Sequence, residues 1–395
     1  MLDPALVDAP PEPSAADEAR VQRSNGRIVV QAWLASRGLI FAVALLLAVV
    51  EGRSVSEMVS NWDVRHFENL ATNGYLGEPD GTLMAFFPGL PGLLALGLAV
   101  GIPIQVTGVV LSLAGSAVAA AALLRLGGPW AAVAWLFAPT AVFTAVPYTE
   151  SLFCAAAFWA WERARADRWA AAAMLAAAAC TLRVSGLFLV GALFVMLITT
   201  RGTNWHTKIS LATWLAVPLA VMAAFATYLH QLTGSWTAWY SAQATGWVRE
   251  FTWPWESFKN TIPVIVPGGY ADHPWWAAVF RGEMVSMFVG VAVVVWCLAV
   301  SVRSRSRDQR PLWGEASWVG VQVLAFSMSY WFFSVNRALL LWFPLWMMIG
   351  RFVSWKPAAG HTKVAHRVFL VVAFIAEIVF MLWWCWLYFT GHWAS

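Results

Sequence analysis

Charge is scarce in this chain. Asp, Glu, Lys and Arg make up 12% of its 395 residues, against 60% hydrophobic. Mean hydropathy is +0.64. A soluble domain of this size cannot hide so much apolar surface, which leaves a polytopic, all-α membrane protein. Cysteine is scarce too: Cys154, Cys180, Cys297 and Cys385 all lie in hydrophobic runs and none forms a CxxC pair. They read as small buried apolar residues rather than a disulfide framework or a zinc site. No Walker loop, GxGxxG, HExxH or DxD occurs, so ATP, soluble nucleotide-sugar and zinc-protease chemistry lack a motif. No cofactor is predicted, and the need for a divalent metal stays open. No basic face stands apart from the membrane anchors, so nucleic acid is not an expected partner. The first residues do not resemble a cleavable signal, because the basic residues Arg20, Arg23 and Arg27 and the apolar run behind them start late. Residues 1–27 read as a disordered cytoplasmic tail.

What is abundant is tryptophan, at 27 residues. Its ring suits the membrane–water interface. A spanning helix takes about 20 mainly apolar residues, and eleven stretches are candidates, several of them short and Ala-rich: 28–50, 103–124, 129–147, 149–161, 168–182, 184–200, 209–231, 284–302, 316–334, 338–352 and 367–390. Segment 84–101 is ambiguous between a span and a re-entrant helix. Charge bias favours the second. With 84–101 returning to its own side, one face of the membrane carries only Arg53, Arg65, Arg183, Arg249, Lys259, Arg281 and Arg337, seven of the 25 Lys and Arg, although it holds the two longest loops. The other face collects the N-terminal arginines, Arg125, the Glu162–Arg168 turn, Arg201, Lys208, the Ser304–Arg310 loop and the run from Arg351 to Arg367. That richer face is predicted to be cytoplasmic. The long loops, 51–102 and 232–283, then lie outside.

The chain is organised around Asn61–Pro91. It opens on Trp62-Asp63, continues as an amphipathic run with Phe67, Leu70 and Ala71 on one face, and meets a helix stop at Gly74. An acidic turn holding Glu78 and Asp80 leads to Phe86-Phe87-Pro88. The other polar residues expected at this membrane face are Arg65, His66, Glu68, Tyr148, Thr149, Glu150, Arg183, Gln243, Trp247, Arg249, Glu250, Asn336 and Arg337. Ionisable groups near membrane depth usually face a cavity or a partner. Carboxylates and arginines from separate loops suggest an acid or base beside a phosphate held by guanidinium groups. Plainer readings stand beside this one. Asp63 is a candidate helix N-cap. Glu150 is a candidate cap or a structural partner of Arg183, Arg337 a snorkelling anchor and Arg249 an interfacial cation. His66 reads as a solvated surface residue.

The motif Trp62-Asp63-Val64-Arg65-His66-Phe67, with Leu70-Ala71, Gly74-Tyr75 and Ala85-Phe86-Phe87-Pro88-Gly89-Leu90-Pro91, resembles the PIG-V family of mannosyltransferases. Tyr148-Thr149-Glu150-Ser151-Leu152-Phe153 matches a second family element. Arg183-Val184-Ser185-Gly186 matches a third, with Val-Ser where Ser-Asn is more familiar. Gln243, Trp247, Arg249 and Pro254 resemble a stretch of bacterial relatives. The resemblance implies a GT-C glycosyltransferase fold over residues 28–395 and an active site at the outer face of a bacterial plasma membrane. It implies inverting transfer of mannose from a polyprenyl-phosphate donor to a lipid or glycan acceptor, with Asp63 as general base. Trp62, Arg65, His66, Glu78, Tyr148, Glu150, Arg183, Gln243, Trp247, Arg249 and Arg337 are the implied substrate-binding set. A carrier or flippase for lipid-linked sugars, and a transferase of another polyprenyl-phosphate sugar, remain alternatives.

Overall fold

The computed structural model describes residues 15–304, 310–357 and 360–394. Among these residues the regular structure is helical, with no strand. Five helices are long and apolar enough to cross a membrane: Ala19–Glu51, Ile104–Gly127, Trp205–Thr233, Pro274–Arg303 and Gly360–Phe389. They coincide with five of the eleven expected spans. The other six expected spans are occupied by shorter helices, Pro129–Leu136, Glu150–Arg165, Trp169–Cys180, Ser185–Thr199, Trp313–Ser327 and Phe343–Ser354. At 1.5 Å per residue they run about 12–24 Å, short of the roughly 30 Å hydrocarbon core. Helix length therefore does not establish eleven crossings.

The difference has a physical source. The long helices are less than half buried in the protein, and a helix facing lipid must satisfy its own backbone across the whole core. The short helices sit deeper, and protein groups there complete broken backbone. Segment 129–147 shows how. Helix Pro129–Leu136 stops before Pro139, a 3-10 turn covers Ala141–Thr144, and Pro147 follows. Proline removes a backbone donor at each break. Arg37, fully inside the bundle on the first span, donates to the Leu136 carbonyl at 3.1 Å and to Thr144 Oγ1 at 2.5 Å. Trp135 donates to the Leu340 carbonyl. Gly108 makes room for the Pro147 ring, which a Cβ there would meet at 2.4 Å.

The first helix is longer than its apolar run. It begins at Ala15, so 15–27 extend the span, and of the tail expected over 1–27 only 1–14 remain, outside the described residues. Segment 84–101 holds a 3-10 turn, Thr82–Ala85, and helix Gly89–Ala99. Eleven residues cover about 16 Å, too little for a crossing. Gly89 fixes its docking: its N–H donates to the Thr181 carbonyl at 2.7 Å, and a Cβ would strike that same oxygen.

The two ends of the bundle carry different polar layers. At one end Arg125 meets Glu162, Arg310 donates to the Arg165 carbonyl, and Arg201 donates to the Ser304 carbonyl. Residues 305–309 lie outside the described set. At the other end loops 51–102 and 232–283 fold over the helix ends. The four cysteines are buried and free.

A candidate active site where two loops meet

The loops enclose a cavity of about 490 Å³. Trp62, Asp63, Phe86 and Phe87 from the first loop face Gln243, Trp247 and Arg249 from the second. Arg183, Phe326, Phe333 and Arg337 complete the charged and aromatic wall, and Trp393 closes it from the C-terminal side.

Asp63 is set by its neighbours in sequence and by the far end of the chain. Helix Asp63–Asn73 starts at Asp63 itself, so the carboxylate stands at the first helical position and is not the N-cap. The preceding residue, Trp62, adopts φ 56°, a left-handed backbone that L side chains rarely take. That turn is held from outside the loop. Trp62 donates to the His392 carbonyl, Asn61 to the Tyr388 carbonyl at 2.8 Å, and the Tyr388 hydroxyl to the Val59 carbonyl. The Asp63 N–H donates to the Tyr148 hydroxyl. Gly74, with φ 71°, ends the helix where the sequence predicts.

The carboxylates and arginines form one chain. Arg337 donates from Nη1 to Asp63 Oδ2 at 3.0 Å, and from Nε and Nη2 to Glu150 Oε1 at 2.9 and 2.7 Å. Arg183 donates to the same Glu150 oxygen at 2.7 Å and to Thr149 Oγ1 at 2.9 Å. Glu150 is completely buried. Two guanidinium groups on one carboxylate offset the desolvation that its burial entails. The Arg337 guanidinium also lies against the rings of Phe143 and Tyr148, at 5.0 and 4.9 Å. Arg337 is therefore a fixed wall element, not a snorkelling anchor.

Several expected ligand residues stand elsewhere. Arg65 turns away to donate to the Ser60 carbonyl. His66 is not on the cavity wall: half-exposed, it has its Nδ1 3.2 Å from Glu78 Oε1 and its ring stacked on Phe86. Glu78 accepts from His66 and Asn69 behind that wall. Tyr148 and Glu150 lie beneath the wall and support it. Trp62, Asp63, Arg183, Gln243, Trp247, Arg249 and Arg337 do line the cavity. Gln243 donates to the Ala85 carbonyl and so ties the second loop to the first. Among the described residues no group of three His, Cys, Asp or Glu gathers as a metal site.

Sequence reading missed one buried anchor. Glu283, on helix Pro274–Arg303, accepts from the N–H groups of Ser334 and Asn336 at 3.1 and 2.8 Å. Asn336 is held further by Ser286 and by the Val279 carbonyl. These bonds fix the short helix Val335–Ala338 that carries Arg337. The signal was an acid at the edge of an apolar span, which needs a partner. Trp393, Phe326 and Phe333 carried no signal of their own.

Fold and site define a multi-pass helical membrane protein with a charged, aromatic-walled cavity at one end of its bundle. No family model matches the chain. It is 34% identical over 152 residues to GPI alpha-1,6-mannosyltransferase 2 of Mus musculus, covering 34% of this chain and 30% of that protein. The same protein of Cricetulus griseus is 34% identical over 163 residues, covering 36% and 32%. The matches thus span about a third of the relatives' own length, and they bear out the resemblance drawn from the motifs. Among solved structures, ArnT from Cupriavidus metallidurans bound to undecaprenyl phosphate superposes with a TM-score of 0.48 at 14% identity, covering 91% of this chain and 76% of that one. Its apo state gives 0.47 at 15%.

Proposed function

We propose that the chain is a GT-C-type membrane mannosyltransferase of the PIG-V-like family, moving mannose from a polyprenyl-phosphate donor to an acceptor hydroxyl on the extracytoplasmic side. The observation that carries the reading is the Asp63 carboxylate on the wall of a cavity that also presents three arginines. Only Oδ2 of Asp63 is engaged by Arg337. Oδ1 makes no hydrogen bond among the described residues and is free to take a proton. The acceptor oxygen forms its bond to the anomeric carbon as Asp63 removes the hydroxyl proton. The bond from that carbon to the phosphate oxygen breaks, and its electron pair leaves with the lipid phosphate. Attack opposite the leaving group inverts the anomeric centre, and an oxocarbenium-like transition state benefits from a nearby carboxylate. Guanidinium groups stabilise the charge on the departing phosphate. The side of the membrane rests on the Lys and Arg bias between the two bundle ends.

The test is a membrane assay with radiolabelled polyprenyl-phosphate mannose and lipid and glycan extracts as acceptors. Asp63→Asn is expected to lower transfer by about 10²–10⁴-fold, the range for loss of a general base, with little change in thermal unfolding. Transfer at the wild-type rate by that variant would remove Asp63 from the role.

A further inference from the structure

The three cavity arginines are not equivalent. Arg183 is committed to Thr149 and Glu150, and Arg337 to Asp63 and Glu150. Arg249 donates no side-chain hydrogen bond among the described residues, and its Nε is enclosed without a partner. Its guanidinium rests near the rings of Phe326 and Phe333, at 5.6 and 5.8 Å. Gln243, Ser329 and Ser334 line the same cavity. The backbone is arranged to hold the side chain there. Val248, immediately before it, adopts φ 52° and ψ 35°, a left-handed conformation that is an outlier for a β-branched residue. The loop is pinned beyond Arg249 as well: Phe251 N–H donates to the Tyr240 hydroxyl, and Thr252 N–H to the Met328 carbonyl. Strain of this kind concentrates at ligand clamps.

We infer that Arg249 is the anchor for the phosphate of an incoming prenyl phosphate monoester, while Arg183 and Arg337 hold the site in shape. This assignment rests on reading the cavity as the donor site. Arg249 is half-buried and its Nε has no partner, so a ligand that brings an anion to it is favoured. Burial, followed by repulsion from Arg337 and Arg183, pushes Arg249 down to about 10. The group is still cationic at neutral pH. Because its charged form is disfavoured on folding, it subtracts from stability there, and the penalty is relieved only as pH rises through that value. A prenyl phosphate supplies the missing anion, and Phe87, Leu182, Val184 and Phe188 on the wall suit the first isoprene units.

The experiment measures equilibrium binding of labelled farnesyl monophosphate to the full chain in nanodiscs, with farnesol and inorganic phosphate as competitors. Wild type is expected to bind the phosphate ester at least ten-fold tighter than the alcohol. Arg249→Gln should weaken ester binding about 10–100-fold, as for loss of a charge-assisted fork. Its empty form should melt no lower than wild type, which a merely structural arginine would not allow. Arg249→Lys should fall between, and it serves where the glutamine variant does not accumulate. Unchanged ester binding by Arg249→Gln, or equal affinity of wild type for ester and alcohol, overturns the assignment. Arg249-dependent binding without sugar transfer by wild type would overturn the function above and leave this assignment standing. Transfer with binding indifferent to Arg249 would do the reverse.

Discussion

Helix Glu150–Arg165 carries a glutamate clamped by two arginines at each end, and the two clusters behave differently. Glu150 is completely buried between Arg183 and Arg337, and the cluster continues to Asp63 on the cavity wall. Glu162 joins Arg125 and Arg163, but Arg125 is 57% exposed and both arginines lie over Trp159 at the bundle surface. The motif of one carboxylate and two guanidinium groups is therefore no mark of function by itself. What separates the ends is the void beside Glu150 and the further cation, Arg249, left facing it.

Charge removal should sharpen that contrast. Glu150→Gln leaves two enclosed guanidinium groups without their shared anion and is expected to destabilise the fold by about 3–5 kcal/mol, the cost of breaking a buried pair. Thermal unfolding in detergent would register it, and a loss below 1 kcal/mol would make the two ends alike. Glu283→Gln acts on the same end through the backbone, weakening the acceptor for Ser334 and Asn336. A loss of about 1–3 kcal/mol is expected. In the transfer assay kcat should fall more than KM rises, because Arg337 shifts against Asp63. Glu162→Gln should change stability by at most about 1 kcal/mol, since one arginine partner is largely solvated, and it should leave transfer untouched. A transfer defect in that variant would mean the comparison has been drawn the wrong way round.

Parts of this arrangement were legible before any fold. Trp62-Asp63, the stop at Gly74 and the grouping of polar residues into loops 51–102 and 232–283 follow from local pattern. The structure brings both loops to one cavity. Charge bias set 84–101 apart as a re-entrant segment, and the helix found there, Gly89–Ala99, is short. The pairing was not. Arg337 reaches Asp63 across 274 positions, and nothing near Arg337 in sequence distinguishes it from an interfacial anchor. Arg65 and His66 sit within three residues of Asp63, yet helix geometry turns them onto other faces. Hydropathy also overstated the short helices, because it sums apolar character along 129–147 without registering that Pro139 and Pro147 break the ladder inside the protein.

By itself the sequence determined that this chain lives in a membrane, where its polar loops lie and that an acid, Asp63, opens the Asn61–Pro91 stretch behind a tryptophan. Composition and short-range periodicity encode those properties, and solvent reads them locally. Tertiary structure alone decided which charges meet, which helices stop short, and which of the three cavity arginines has no carboxylate bonded to it among the described residues. Those outcomes depend on contacts between residues hundreds of positions apart, where burial makes each unmatched charge costly enough to choose its partner.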